Sequence, residues 1–88
     1  MKVLIVDDEK HVRDAIRLLV DWAKHGIDGI LEAPEGETAV RILEAEKPEI
    51  VFTDMRMPIM DGVGLLEWIH EHHPSCKTIV VSGHDDFD

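Results

Sequence analysis

Three near-continuous apolar runs, each stopping at a small polar group, constrain this chain more than anything else in it. Residues 2–6 end at Asp7-Asp8, residues 50–53 end at Asp54, and residues 78–81 end at Ser82-Gly83. Such runs are too short for helices, and their Val, Ile, Phe and Thr residues favour extended backbone. Because they do not alternate strictly with polar residues, they suit strands covered on both faces. A more mixed run at residues 29–33 reads as a strand nearer a sheet edge.

Between the runs the period changes. Over residues 9–24, Val12, Ala15, Ile16, Leu19 and Ala23 recur at three- and four-residue steps. That spacing predicts one amphipathic helix, flanked by Trp22 and closed by Gly26. Pro34-Glu35-Gly36 breaks the second strand, and residues 37–47 predict a second helix with Ala39, Val40, Ile42 and Leu43 inward, stopped by Pro48. Residues 62–72 predict a third helix, burying Leu65, Leu66 and Ile69 and closed by Pro74. The order β-α-β-α-β-α-β makes an α/β fold the expectation: an open parallel sheet with helices on both faces. In such sheets, sites form at the carboxyl ends of strands, beside a switch in strand order. Asp7, Asp8, Asp54 and Ser82 all stand at such ends.

Asp54 is the most informative of them. Pro58 biases Met57 away from the α region and Asp61-Gly62 is a turn signal, so the next helix starts near Gly62. Asp54 is therefore several residues from any helix it could cap, and it reads as a reactive group. Asp8 also admits a plainer role as N-cap of helix one, and Ser82 one as a turn residue before Gly83. Three carboxylates gathered in one crevice repel one another unless a cation neutralises them. Offering only oxygen, they select a hard ion such as Mg²⁺, which keeps positions open for phosphate oxygens. A carboxylate can attack a phosphoryl group to form an aspartyl phosphate. Charge then spreads over the equatorial oxygens, so metal and hydrogen-bond donors such as Ser82 would do most of the work. The expected chemistry is phosphoryl transfer to Asp54.

Composition narrows the partners. At 88 residues the chain is one domain at most. Its 9 basic and 19 acidic residues give a net charge of −10, which repels nucleic acid and anionic membrane and attracts cations or basic partners. No direct nucleic-acid contact by this segment is expected. Cys76 is the only cysteine, which excludes an internal disulfide and fits a reducing compartment. The apolar stretch before Asp7 is too short for a signal core or a membrane span, so a cytoplasmic location is expected. His70, His73 and Cys76 imitate zinc spacing, but Pro74 interrupts them and no fourth ligand is evident. Met55, Met57 and Met60 read as loop packing rather than a metal box.

Val6-Asp7-Asp8-Glu9, the loop Thr53-Asp54-Met55-Arg56-Met57-Pro58-Ile59-Met60-Asp61-Gly62, and Val80-Val81-Ser82-Gly83 together resemble the receiver domain of two-component response regulators. The ending Ser82-Gly83-His84-Asp85-Asp86-Phe87 looks most like receivers fused to AraC-type DNA-binding domains. The resemblance runs the whole chain in order, and the loop after Asp54 is its most specific part. It implies a flavodoxin-like (βα)5 fold with strand order 2-1-3-4-5. It also implies that Asp54 is the phosphoacceptor, Asp8 a direct Mg²⁺ ligand, Asp7 a ligand mainly through water, and the Arg56 carbonyl a further ligand. Ser82 would be the switch hydroxyl. The implied donor is a phosphohistidine on a sensor histidine kinase, with acyl phosphates as substitutes, and the implied target is an output domain that regulates transcription. Such a module acts on itself rather than turning over a substrate.

One departure stands out. The family's fifth strand carries a lysine that pairs with the phosphoryl group, and none of Lys2, Lys10, Lys24, Lys47 or Lys77 occupies that place. The expectation is a receiver domain over residues 1–88, incomplete at its C-terminus. Ile79, Val80 and Val81 would then lie on an open strand-four edge, and a homodimer through that edge is a further expectation. Two rivals are a Mg²⁺-dependent phosphatase of the haloacid-dehalogenase kind and an interaction module with a vestigial acidic site. The first needs Asp-x-Asp after strand one, whereas Asp7 and Asp8 are adjacent.

Overall fold

Residues 1–54 and 62–81 are described by the computed structural model, with the side chains of Asp54, Val63 and Val81 outside that description. Strands β1 (Lys2–Val6), β2 (Gly29–Ala33), β3 (Ile50–Asp54) and β4 (Lys77–Val81) form one sheet in the order β2-β1-β3-β4. All three pairings are parallel. Parallel neighbours need crossovers, and helices α1 (Lys10–Leu19), α2 (Gly36–Glu46) and α3 (Gly62–His72) supply them.

The central strand shows why its sequence is apolar throughout. Val3, Leu4 and Ile5 are fully buried and Val6 is 1% exposed. Leu4 and Val6 face a core shared with Ala33, Ala39, Leu43, Val51, Leu65 and Ile69, under α2 and α3. Val3 and Ile5 face the opposite core with Trp22 and Ile27, next to Ile16 of α1. A strand buried on both faces has no polar position to spare.

Helix α1 departs from the expected span of residues 9–24. It stops at Leu19, where Val20 turns extended, and a separate short 3-10 turn follows at Ala23–His25. Trp22 explains the break. By leaving the helix, it brings its ring to 7% exposure, edge-on to Phe52 at a centroid distance of 5.5 Å. Its indole Nε1 donates to the Arg17 carbonyl at 2.9 Å, satisfying one of the acceptors that a helix end leaves open. The expected inward stripe shrinks accordingly: Val12 and Ile16 are half-buried, Ala15 and Ala23 are exposed, and Leu18 and Leu19 are 86% and 83% exposed. Gly26 then closes the 3-10 turn in the left-handed region at φ 76°, its N–H bonding the Ala23 carbonyl at 3.1 Å.

The remaining elements follow their patterns in type and span, but β4 is not covered on both faces as its apolar run suggested, since Lys77, Thr78, Ile79 and Val80 are exposed. Ala39 and Leu43 bury one stripe of α2, and Lys47 ends that helix with φ 49° just before Pro48. In α3, Leu65 and Ile69, one turn apart, are buried, while Leu66 is half-buried. Strand β4 starts at Lys77, one residue before the expected Thr78, because the Lys77 N–H reaches the Glu49 carbonyl at 2.9 Å.

Candidate functional site

The register sets the site. Val6 of β1 lies opposite Thr53 of β3, so Asp7 and Asp54 are the next positions along two adjacent strands. Asp54 in turn lies opposite Val81 of β4. The chain runs outward from β1 to β2 and then crosses back to β3 on the other side of β1. The carboxyl ends of β1 and β3 therefore flank the point where strand order reverses, the usual place for a site in this architecture.

Asp7 is 3% exposed, the one fully buried acid among the described side chains. Hydrogen bonds hold it at its N–H, its Oδ1 and its carbonyl. Its N–H donates to the Ala33 carbonyl at 3.1 Å, extending the β1–β2 ladder by one step. Its Oδ1 accepts the Glu9 N–H at 2.9 Å. Its own carbonyl accepts from Arg13 Nη1 at 2.7 Å. Asp8, next in the chain, is exposed. The plainer role for Asp8 fails on position, since the N-cap of α1 is Glu9, which makes no side-chain capping bond.

Arg13 belongs to a cluster that the sequence reading missed. Its Nε lies 2.9 Å from Glu32 Oε1, and Arg17 Nη1 lies 2.6 Å from Glu32 Oε2. Burial pushes the Glu32 carboxyl up, but the hydrogen bonds from Arg17 and Arg13 outweigh it and hold the group below its ordinary value. One signal was available: Glu32 is the only charged residue in β2, and Arg13 and Arg17 stand four apart on a helix.

Of the other predicted site residues, Asp54 is placed as the last residue of β3, while Arg56 and Ser82 lie outside the described residues. Among the described side chains, no group of three His, Cys, Asp or Glu converges as a metal site. The acidic set there consists of Asp7 and Asp8. As donors they would fit a hard divalent cation: both offer carboxylate oxygen, and Asp7 is already fixed at a strand end. Far from this crevice, His72 stacks on Trp68 at a centroid distance of 4.6 Å and His73 tilts against the same ring at 5.2 Å. Burial, and then the nearby Glu49 charge, push the Cys76 thiol above its ordinary value, which disfavours the reactive thiolate at that position. No described helix is long and apolar enough to cross a membrane.

Parallel strands in the order 2-1-3-4, with acids at the switch point, define a doubly wound α/β domain of the receiver kind. Residues 3–88 match the family model for the response regulator receiver domain, and the chain belongs to that family. The transcriptional regulatory protein HptR of Staphylococcus aureus is 37% identical over 87 residues, covering 99% of this chain and 34% of that protein. The chain thus spans about a third of the curated relatives it matches. A two-component transcriptional regulator AraC from Clostridium phytofermentans superimposes with a TM-score of 0.90 at 38% identity, over 98% of this chain and 69% of that one. The receiver domain of AraT, a response regulator from Geobacillus stearothermophilus, gives a TM-score of 0.90 at 40% identity, over 98% and 67%.

Proposed function

We propose that this chain is the phosphoacceptor part of a longer two-component regulator, and that Asp54 takes up the phosphoryl group. The donor is the phosphohistidine of a sensor histidine kinase, with a small acyl phosphate as substitute. A carboxylate oxygen of Asp54 forms the new P–O bond as the P–N bond of the donor breaks and the imidazole leaves with the bonding pair. The observation that carries this reading is the β1–β3 register, which makes buried Asp7 and strand-end Asp54 neighbours. A Mg²⁺ held by Asp7, Asp8, Asp54 and the Arg56 carbonyl would supply neutralising charge. Asp7 is kept in place by hydrogen bonds at its N–H, Oδ1 and carbonyl, and Asp8 is exposed, where it could meet a hydrated ion. Ser82 is the hydroxyl that bonds the phosphoryl oxygen once it is transferred. The output is transcription regulation by a linked DNA-binding domain, in keeping with relatives that are themselves transcriptional regulators. A cytoplasmic location follows from such a role.

Intact mass of the full-length protein, before and after acetyl phosphate with Mg²⁺, tests the reading. One phosphoryl adduct is expected, absent in Asp54→Asn and absent without Mg²⁺. The same adduct persisting in Asp54→Asn would reject the assignment. No adduct on the parent would favour a vestigial acidic site instead.

A further inference from the structure

Arg13 has no part in the chemistry proposed above, yet it is the best-anchored cation in the described structure. Its side chain is 13% exposed and spans three elements. From α1 it reaches the end of β1 through the Asp7 carbonyl at 2.7 Å, and β2 through Glu32 at 2.9 Å. Glu32 is held from its other oxygen by Arg17 at 2.6 Å, so the guanidinium of Arg13 is oriented rather than merely attracted. The accepting carbonyl belongs to the peptide that joins Asp7 to Asp8. Fixing that oxygen fixes the plane of the peptide, and with it the direction in which the chain carries Asp8 away from Asp7.

We infer that Arg13 is a positioning residue for the divalent-cation site. Clamped by Glu32, it holds the Asp7–Asp8 peptide so that the two carboxylates are presented together to one Mg²⁺. The inference rests on the metal assignment proposed above. Arg13 itself offers no ligand atom, since a guanidinium has only donors. It acts from behind, on the backbone between two ligands, while Glu32 offsets its charge and limits its repulsion of the ion. Partners that orient metal ligands in this way typically account for 10–100-fold in metal affinity.

The test is Mg²⁺ titration of the full-length protein, followed by NMR shifts of the Asp8 and Glu9 amides, with thermal melting alongside. Arg13→Met should weaken Mg²⁺ binding about tenfold or more. Arg17→Met, which removes the other partner of Glu32 but leaves the Asp7 carbonyl bonded, should stay within about twofold, although it also costs stability. Arg13→Lys can reach the carbonyl or Glu32 but not fork to both, and should fall between. The Glu9 amide should exchange faster in Arg13→Met even without metal, because the turn it closes is released. If Arg13→Met binds Mg²⁺ within twofold of the parent, or if Arg17→Met loses as much, the inference is overturned. Should Arg13→Met fail to fold, Arg13→Lys decides: at least threefold weakening supports it and parent-like affinity overturns it. A parent that binds no Mg²⁺ would overturn the proposed function, and this inference with it.

Discussion

Trp22 is where the helix pattern and the observed chain part, and replacing it measures what ends α1. Its ring is 7% exposed, meets Phe52 edge-on at 5.5 Å, and donates to the Arg17 carbonyl at 2.9 Å. Trp22→Phe keeps most of the ring but loses the donor. The lost hydrogen bond and the smaller ring together should cost about 1–2 kcal/mol, since the carbonyl is only partly buried and water can reach it. Trp22→Ala loses the aromatic contact and leaves a cavity against Val3, Ile5 and Ile27, for about 3–5 kcal/mol. A domain of this length holds only about 4–13 kcal/mol in all, so the alanine variant should be marginal. Urea denaturation followed by far-ultraviolet circular dichroism reads both, because Trp68 confuses a fluorescence signal. Trp22 stands in the connection from α1 to β2, which returns the chain to the amino ends of the strands, where the Asp28 N–H bonds the Met1 carbonyl at 3.0 Å. Mg²⁺ affinity of Trp22→Phe should therefore match the parent. An alanine variant within 1 kcal/mol of the parent would refute the claim that Trp22 closes the helix by burial.

Three further outcomes are expected. Lys47 holds a left-handed φ of 49° at the end of α2, so Lys47→Gly should stabilise by about 0.5–1 kcal/mol net of glycine's extra freedom in the unfolded chain, read as a higher melting temperature. Against the upward push of burial, hydrogen bonds from Arg17 and Arg13 hold the Glu32 carboxyl below its ordinary value, so its contribution is present above the ordinary value and is lost as pH falls through the lower folded one. The stability gap between parent and Glu32→Gln should accordingly be widest near neutral pH and close on acidification, and a gap that widens in acid would contradict the arginine clamp. Residues 1–88 prepared alone should self-associate through β4, where Ile79 and Val80 are 45% and 40% exposed. Sedimentation across a concentration series checks this, and a folded monomer throughout would remove the edge as an interface.

The inner strands β1 and β3 were legible because they pack on both faces, and that packing forces a run of apolar residues whatever the helices do; β4 carries a similar run although Ile79 and Val80 are exposed. Strand β1 shows it, with four consecutive apolar residues filling two cores. The end of α1 was not legible: Leu18 and Leu19 continue the helical period, and no glycine or proline stands between Leu19 and Trp22. What stops the helix is a non-local gain, the burial of Trp22 against Phe52 some thirty residues later in the chain, and no local propensity encodes that. The site divides in the same way. That acids gather at strand ends follows from where the apolar runs stop. That Asp7 is buried while Asp8 is exposed follows only once Asp7 is seen to extend the ladder to Ala33 and Asp8 to leave it. Arg13 was hidden for a related reason. On a helical wheel it is one more charge beside Val12 and Ile16, and only the pairing of Ile5 with Glu32 brings an acid within its reach. The same register that sets Glu32 beside β1 sets Asp7 against Ala33, so the clamp and the carboxylate it holds are placed by one pairing of strands. A slip of one residue between β1 and β2 would send Glu32 to the other face of the sheet and strand Arg13 without its acid. The geometry of the candidate cation site is therefore coupled to the register of the outer strand β2, a strand that supplies none of its proposed ligands.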